Sequence, residues 1–217
     1  MLRKIATLPR RFGRDARAVS AVEFALLMPL MLILYFGGTA VTLAVMANRK
    51  ADLVARTLAD LISRQPQGTS VTDTQMNDAL SAGTAVLAPF TAAPLKVTIS
   101  SVEFVTNSSS TTGYDAKPRW SYVSNGGTLR PCKTLTPVVN GTAPTSTNLP
   151  VGLYGSGSVI ISDITYTYTP LFAGTAMNAL YGLANAFTWS HSAYMRPRLT
   201  GSPIAYGGTQ ATVCPSY

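Results

Sequence analysis

The chain predicts an α+β fold: one long N-terminal helix, apolar enough to cross a membrane, followed by a small exported domain with an antiparallel β-sheet and one or two short helices. Three observations predict it. Residues 24–47 carry no charge, and as helix these 24 residues would run about 36 Å at roughly 1.5 Å per residue, enough for a hydrocarbon core of about 30 Å. Residues 48–64 then repeat apolar side chains at three- and four-residue steps, the period of an amphipathic helix. From Leu95 onward the period falls to two, which is the alternation of a strand.

The flank of the apolar run sets its orientation. Residues 1–17 hold Arg3, Lys4, Arg10, Arg11, Arg14 and Arg17 against Asp15, six positive minus one negative, a net +5. Lys and Arg are retained on the cytoplasmic side, so the N-terminus stays in and the rest is exported. Arg49, Lys50, Arg56 and Arg64 follow the run and weaken the contrast, but Asp52 and Asp60 offset two of them. From residue 66 onward seven basic residues meet five acids, leaving only +2 of the overall +8. The basic character is therefore a membrane-topology signal, and no nucleic-acid partner is expected.

The boundaries follow: a basic cytoplasmic leader over 1–18, a transmembrane helix over 19–47, an amphipathic continuation over 48–65 and an exported α+β domain over 66–217. Glu23 stands one residue before the uncharged run. An ionisable group there is costly unless it is paired or hydrated. Pro29 lies inside the span and removes one helix hydrogen bond, so a kink or loosened turn near Ala25 is expected. The glycine pair Gly37-Gly38 offers a neighbouring helix a close approach. Val45-Met46-Ala47 has the small-residue spacing of a signal-peptidase site, but the apolar stretch is much longer than the usual core of about 7–15 residues.

In the exported part, Ala51, Val54, Leu58, Leu61 and Ile62 form the buried stripe of the continuing helix, and Pro66-Gln67-Gly68 stops it. Thr72 and Gln75 form a capping box that starts a helix with Met76, Leu80, Ala85 and Leu87 on its apolar face. It ends at Pro89. Leu95, Val97 and Ile99 start a strand, with a bulge expected at Ser100-Ser101 before Val102 and Phe104. Residues 107–113 are an exposed Ser/Thr loop. Residues 119–123 form a strand with Trp120 and Tyr122 on one face, closed by the turn Asn125-Gly126-Gly127. Residues 134–150, poor in large apolar side chains, are a long distal loop. Residues 158–169 are the best strand of the chain, 173–186 a short helix, and 187–195 a last strand.

Cys132 and Cys214 fall in the exported part, where an even number of cysteines reads as one disulfide. Two free thiols or a metal pair are the alternatives, although two ligands alone do not make a zinc site. Catalysis is not expected. His191 is the one histidine, Ser190-His191-Ser192 alternates across a strand and so forms no triad, and Gly152, Gly155 and Gly157 lack the lysine and helix of a phosphate loop. No cofactor or metal is implied.

The basic leader, the small residues, Val22-Glu23-Phe24-Ala25-Leu26 and Pro29 resemble the N-terminus of TadE-like proteins, the minor pilins (pseudopilins) of tight-adherence pili. The resemblance is close over residues 10–45. Tyr166-Thr167-Tyr168-Thr169-Pro170-Leu171-Phe172 is similar to a later part of the same family. The resemblance implies a long helix that is half in the membrane and half backing a globular head. It implies cleavage by a prepilin peptidase between Ala18 and Val19, with Glu23 as fifth residue of the mature chain. Ala18 stands where many members have glycine. It further implies that Glu23, Phe24 and Pro29 serve helix assembly, with other pilin subunits, the prepilin peptidase and the Tad secretion machinery as partners. The location implied is the bacterial inner membrane and, after assembly, the pilus. Once the leader is removed, the new α-ammonium of Val19 is a partner for Glu23 on the same or a neighbouring subunit. The alternative is a partly hydrated Glu23 at the headgroup level of an uncleaved anchor. A single-pass binding module or adhesin outside any filament, or a protein secreted after signal-peptidase cleavage, are the other functional readings.

Overall fold

A computed structural model of the chain describes residues 16–66, 69–139, 142, 145–170, 186–198 and 203–215. Most of the 1–18 leader and of the short helix read at 173–186 lie outside the described residues. The first element is one helix, α1 (Ala16–Ser63), 48 residues long, which at about 1.5 Å per residue spans about 72 Å. It continues through Pro29 and stops before Pro66. Its two halves differ in environment. Residues 19–32 are exposed throughout, whereas Ala44, Ala47, Ala51, Val54, Ala55, Leu58, Ala59 and Ile62 are buried. The buried positions recur every three or four residues and so share one face. Alanine dominates that face, which lets the helix backbone lie close to what it covers.

That covered surface is a five-stranded sheet in the order β7 (Phe187–Met195), β6 (Gly157–Tyr168), β2 (Leu95–Thr106), β3 (Tyr114–Ser124) and β9 (Ala211–Val213), with a second helix packed beside α1. The helix α2 (Asp73–Leu87) starts with the capping box: Thr72 accepts from the Gln75 backbone and Gln75 returns a bond to the Thr72 N–H at 3.0 Å. Its buried face is Met76, Ala79, Gly83 and Leu87, whereas Ala85 is exposed. The expected stripe through Ala85 is thus corrected by two residues to Gly83. The reason is contact with α1: a Cβ on Gly83 would stand 2.8 Å from Leu58 Cδ2, so only glycine admits Leu58 at that distance. Lys50 Nζ donates to the Val86 carbonyl at 3.0 Å, so α2 runs opposite to α1.

The strands β2 (Leu95–Thr106), β3 (Tyr114–Ser124), β6 (Gly157–Tyr168) and β7 (Phe187–Met195) are antiparallel neighbours, and β9 (Ala211–Val213) adds a short edge on β3. The register between β2 and β3 shifts between Ser101 and Val102, as expected, with Ser101 opposite Trp120 and Val102 opposite Pro118. The extra residue is Arg119, on β3. This bulge inverts the alternation of β3: Trp120 and Tyr122 join the core under the helices, whereas Ala116 joins a second core on the other face. After β3 the turn takes left-handed φ of 52° at Asn125 and 74° at Gly126, values that favour Asn and Gly.

The second core contains Val102, Phe104, Val159 and Ile161 of the sheet together with Leu135 and Leu149. The region read as a long loop, 134–150, is therefore more than a loop. It holds the short parallel pair β4 (Thr136–Val138) and β5 (Asn148–Pro150), and Leu135 and Leu149 are 1% and 0% exposed. Its two large buried apolar side chains do the anchoring that composition alone hides. A buried arginine fixes the same region: Arg130, 0% exposed, donates to Asp163 at 3.0 and 2.6 Å and to the Thr145 carbonyl at 3.1 Å. Ser192 donates to the other oxygen of Asp163 at 2.5 Å.

The C-terminal segment is tied down at several points. β1 (Ser70–Val71) pairs in parallel with β8 (Ala205–Tyr206), and Trp120 Nε1 donates to the Ile204 carbonyl at 2.7 Å. Cys214 is disulfide-bonded to Cys132. Asp73, in the first turn of α2, accepts from the backbone N–H groups of Thr209 and Gln210 and from the Tyr206 hydroxyl at 2.6 Å. Gly208 permits this, since a Cβ there would collide with Asp73 Oδ1. The Thr209 backbone bond, followed by the Tyr206 hydroxyl, lowers the Asp73 carboxyl from 3.8 to about 2. A carboxyl more acidic in the folded chain contributes its full stability above about pH 4 and loses it as pH falls toward about 2. The protection of residues 204–214 against hydrogen exchange, taken relative to the intrinsic rate at each pH, should therefore fall in that window in the natural chain. In Asp73→Asn that protection should be low already at neutral pH and insensitive to acid.

Candidate assembly helix and its junction with the head

The functional candidate is α1 itself, built from its sequence upward. The most apolar 18-residue window of Val19–Ser63 has a mean hydropathy of 2.1, and none of it is buried. Phe24 and Leu26 are 67% and 73% exposed, fractions that bare apolar helix does not sustain in water. Two hydroxyls of the span bond back to the helix: Thr39 donates to the Phe36 carbonyl and Thr42 to the Gly38 carbonyl, both at 2.9 Å. Gly37 and Gly38 have open space where a Cβ would stand, so the thin place on the helix is unfilled by this chain. The arrangement fits a single-pass membrane anchor.

Ala18 and Val19 lie in the first turns of α1, which continues across the bond between them. Val19 and Glu23 are both exposed and stand four residues apart, which places them on one side of the helix. Among the described residues Glu23 has no hydrogen-bond or ion-pair partner within the chain. Phe24 and Pro29 lie on the same unaccompanied stretch. Cys132 and Cys214 are far from it in sequence and in the fold, closing the C-terminal segment against the region of Arg130.

Residues 18–60 match the family model described as TadE-like protein. Over this segment the chain is similar to TadE-like proteins. No curated protein and no solved structure matches it. The TadE-like segment coincides with α1 short of its last turn, and it joins the bare half to the half that carries the head. The junction between the halves is built by contacts that the sequence pattern did not single out. Asn48 Oδ1 lies 2.7 Å from His191 Nε2, and Asp60 accepts from Arg198 at 2.7 Å. The hydrogen bond from Arg64, and then the positive charge of Arg198, hold the Asp60 carboxyl below its ordinary range.

The opposite face of the sheet bears a shallow cleft of about 530 Å³, lined in part by Lys96, Thr98, Thr128, Asp163, Thr165 and Ser190. Its acid, Asp163, is engaged by Arg130 and Ser192. The imidazole of His191 is hydrogen-bonded to Asn48 on α1.

Proposed function

We propose that this chain is a minor pilin, or pseudopilin, of a tight-adherence pilus, contributing to assembly or to the pilus tip. One observation carries the reading: a single helix whose first half is bare and apolar while its second half is the spine of a folded head. The mechanism is a transfer of environment. A basic leader holds the precursor in the inner membrane with its N-terminus in the cytoplasm. A prepilin peptidase removes the leader between Ala18 and Val19, and the helix then moves from lipid into a bundle of pilin helices raised by the Tad secretion machinery. Glu23 pairs with the α-ammonium of Val19 on the same or a neighbouring subunit, and Phe24, Pro29 and the Gly37-Gly38 surface meet the neighbours.

The reading of a secreted protein is disfavoured by the position of Ala47. Signal-peptidase cleavage there would sever α1 at a residue that is 0% exposed beneath the head. A fixed anchor carrying a binding head is the remaining alternative, and loss of the carboxylate separates it from the pilin reading. Glu23→Leu should leave the chain in the membrane with its head folded while lowering recovery in sheared fibres by on the order of tenfold or more, the equivalent of about 1.4 kcal/mol of lost pairing. Unchanged recovery in fibres would make the carboxylate incidental.

A further inference from the structure

The edge of the head nearest the span is aromatic. β7 runs along the sheet in the same direction as α1, since His191 meets Asn48 and Arg198 meets Asp60. Four strand residues separate His191 from Phe187, about 13 Å at about 3.3 Å per residue. On α1 that distance corresponds to about nine residues at about 1.5 Å each, and places Phe187 level with about Thr39 and Trp189, half as far from His191, level with about Ala44, both in the second half of the uncharged 24–47 stretch. α2 runs the other way and, past Val86 where Lys50 meets its carbonyl, carries the chain to Phe90 at the same edge. Four rings form a continuous row there. Phe90 meets Tyr168 edge-on at 5.7 Å, Tyr168 stacks on Trp189 at 6.4 Å, and Trp189 stacks on Phe187 at 5.9 Å. Phe187 is 37% exposed. The chain carries no charge from residue 79 to 95, and the basic residues at this level, Arg49 and Lys96, are exposed.

Aromatic rings rimmed by basic side chains, level with the last turns of an apolar span, match the polarity profile of the bilayer interface, where an apolar ring body and a polar edge are both accommodated. We propose that this edge of the head docks on the lipid surface, with the Trp189 ring at the headgroup boundary, the Phe187 ring reaching below it and Arg49 and Lys96 against lipid phosphates. The occupant is the bilayer because Ala44 and Ala47, both within the uncharged stretch, are already covered by the head. While α1 lies in the membrane, its head therefore cannot stand clear of the headgroup layer. The inference rests on reading α1 as a membrane anchor. It adds that the head is held at a fixed height before assembly, and that drawing α1 out also detaches an aromatic edge from lipid.

The test reconstitutes the full chain in phosphatidylcholine/phosphatidylglycerol vesicles whose acyl chains are brominated either near the headgroup or near the bilayer centre. The chain has two tryptophans, and Trp120 is 0% exposed, so it is shielded from lipid. The natural chain should lose the Trp189 share of its emission to the shallow bromines, and Trp189→Phe should lose none. A Tyr35→Trp, Trp189→Phe chain reports the span and should be quenched by the deep bromines. Deep quenching of that chain with no shallow quenching of the natural one overturns the docking while leaving the anchor intact, and means that the edge is covered by protein. Absence of quenching in both overturns the anchor reading and the docking with it.

Discussion

Replacing Cys132 and Cys214 together by serine should cost the head about 4.5 kcal/mol on the chain-entropy account of a loop closed over 82 residues. That is a large part of the stability of a domain of this size. The loss should also be uneven. Cys214 directly follows β9, whose three residues pair only with Trp120, Ser121 and Tyr122. Without the covalent tie β9 should fray first, while α2 stays anchored to Tyr206 and Thr209 through Asp73. Urea titration of the full chain in detergent should show the midpoint falling and the slope rising, because the unfolded chain without its cross-link exposes more surface, and reduction of the natural chain should reproduce both changes. A double variant as stable as the natural chain would mean that the hydrogen bonds of the C-terminal segment carry the load alone.

The second large effect lies at Arg130. Its guanidinium is wholly buried and joins the sheet, through Asp163, to the region of Thr145 and Asn148. Arg130→Met keeps the apolar stem and removes the charge and its hydrogen bonds. It leaves the Asp163 carboxylate, 26% exposed, with Ser192 as its remaining side-chain partner in this network. Breaking a buried pair from one side typically costs about 3–5 kcal/mol, and partial exposure of the acid places this case near about 3. Protection of residues 134–150 against proteolysis should fall together with stability. Arg130→Met with Asp163→Leu should recover part of the loss, because the uncompensated charge is then gone. If the single variant is as stable as the natural chain, the pair does not hold the loop.

Much of the architecture was legible in the sequence because it rests on local pattern. The uncharged stretch, the stripe after it, the Thr72–Gln75 box and the alternation from Leu95 each depend on neighbours a few residues apart. The alternation places Trp120 and Tyr122 on one face and Ser100-Ser101 marks a register shift, and the structure puts the extra residue at Arg119 on the facing strand. Long-range contacts were not legible in this way. Asp73 meets Thr209 across 136 positions and Arg130 meets Asp163 across 33. Alanine hid another feature. The close fit of α1 on the sheet uses Ala47, Ala51, Ala55 and Ala59, all 0% exposed, and alanine reads as a helix former with no preferred side. Ser101 and Ser162 lie fully buried beneath the helices with hydroxyls unbonded, a cost accepted where small side chains are needed.

At the N-terminus, Glu23 had a position that asked for a partner, and the folded chain provides none among its described residues. The same logic separates the two halves of α1. Leu58 and Ile62 find their contacts inside the head, and Phe24 and Leu26 are left exposed by the chain itself.

The most direct measurement is the first residue of the chain recovered from purified fibres, read by N-terminal sequencing. The account predicts Val19, with Glu23 in fifth place. Fibres carrying the chain with Met1 and its arginine-rich leader intact would contradict it.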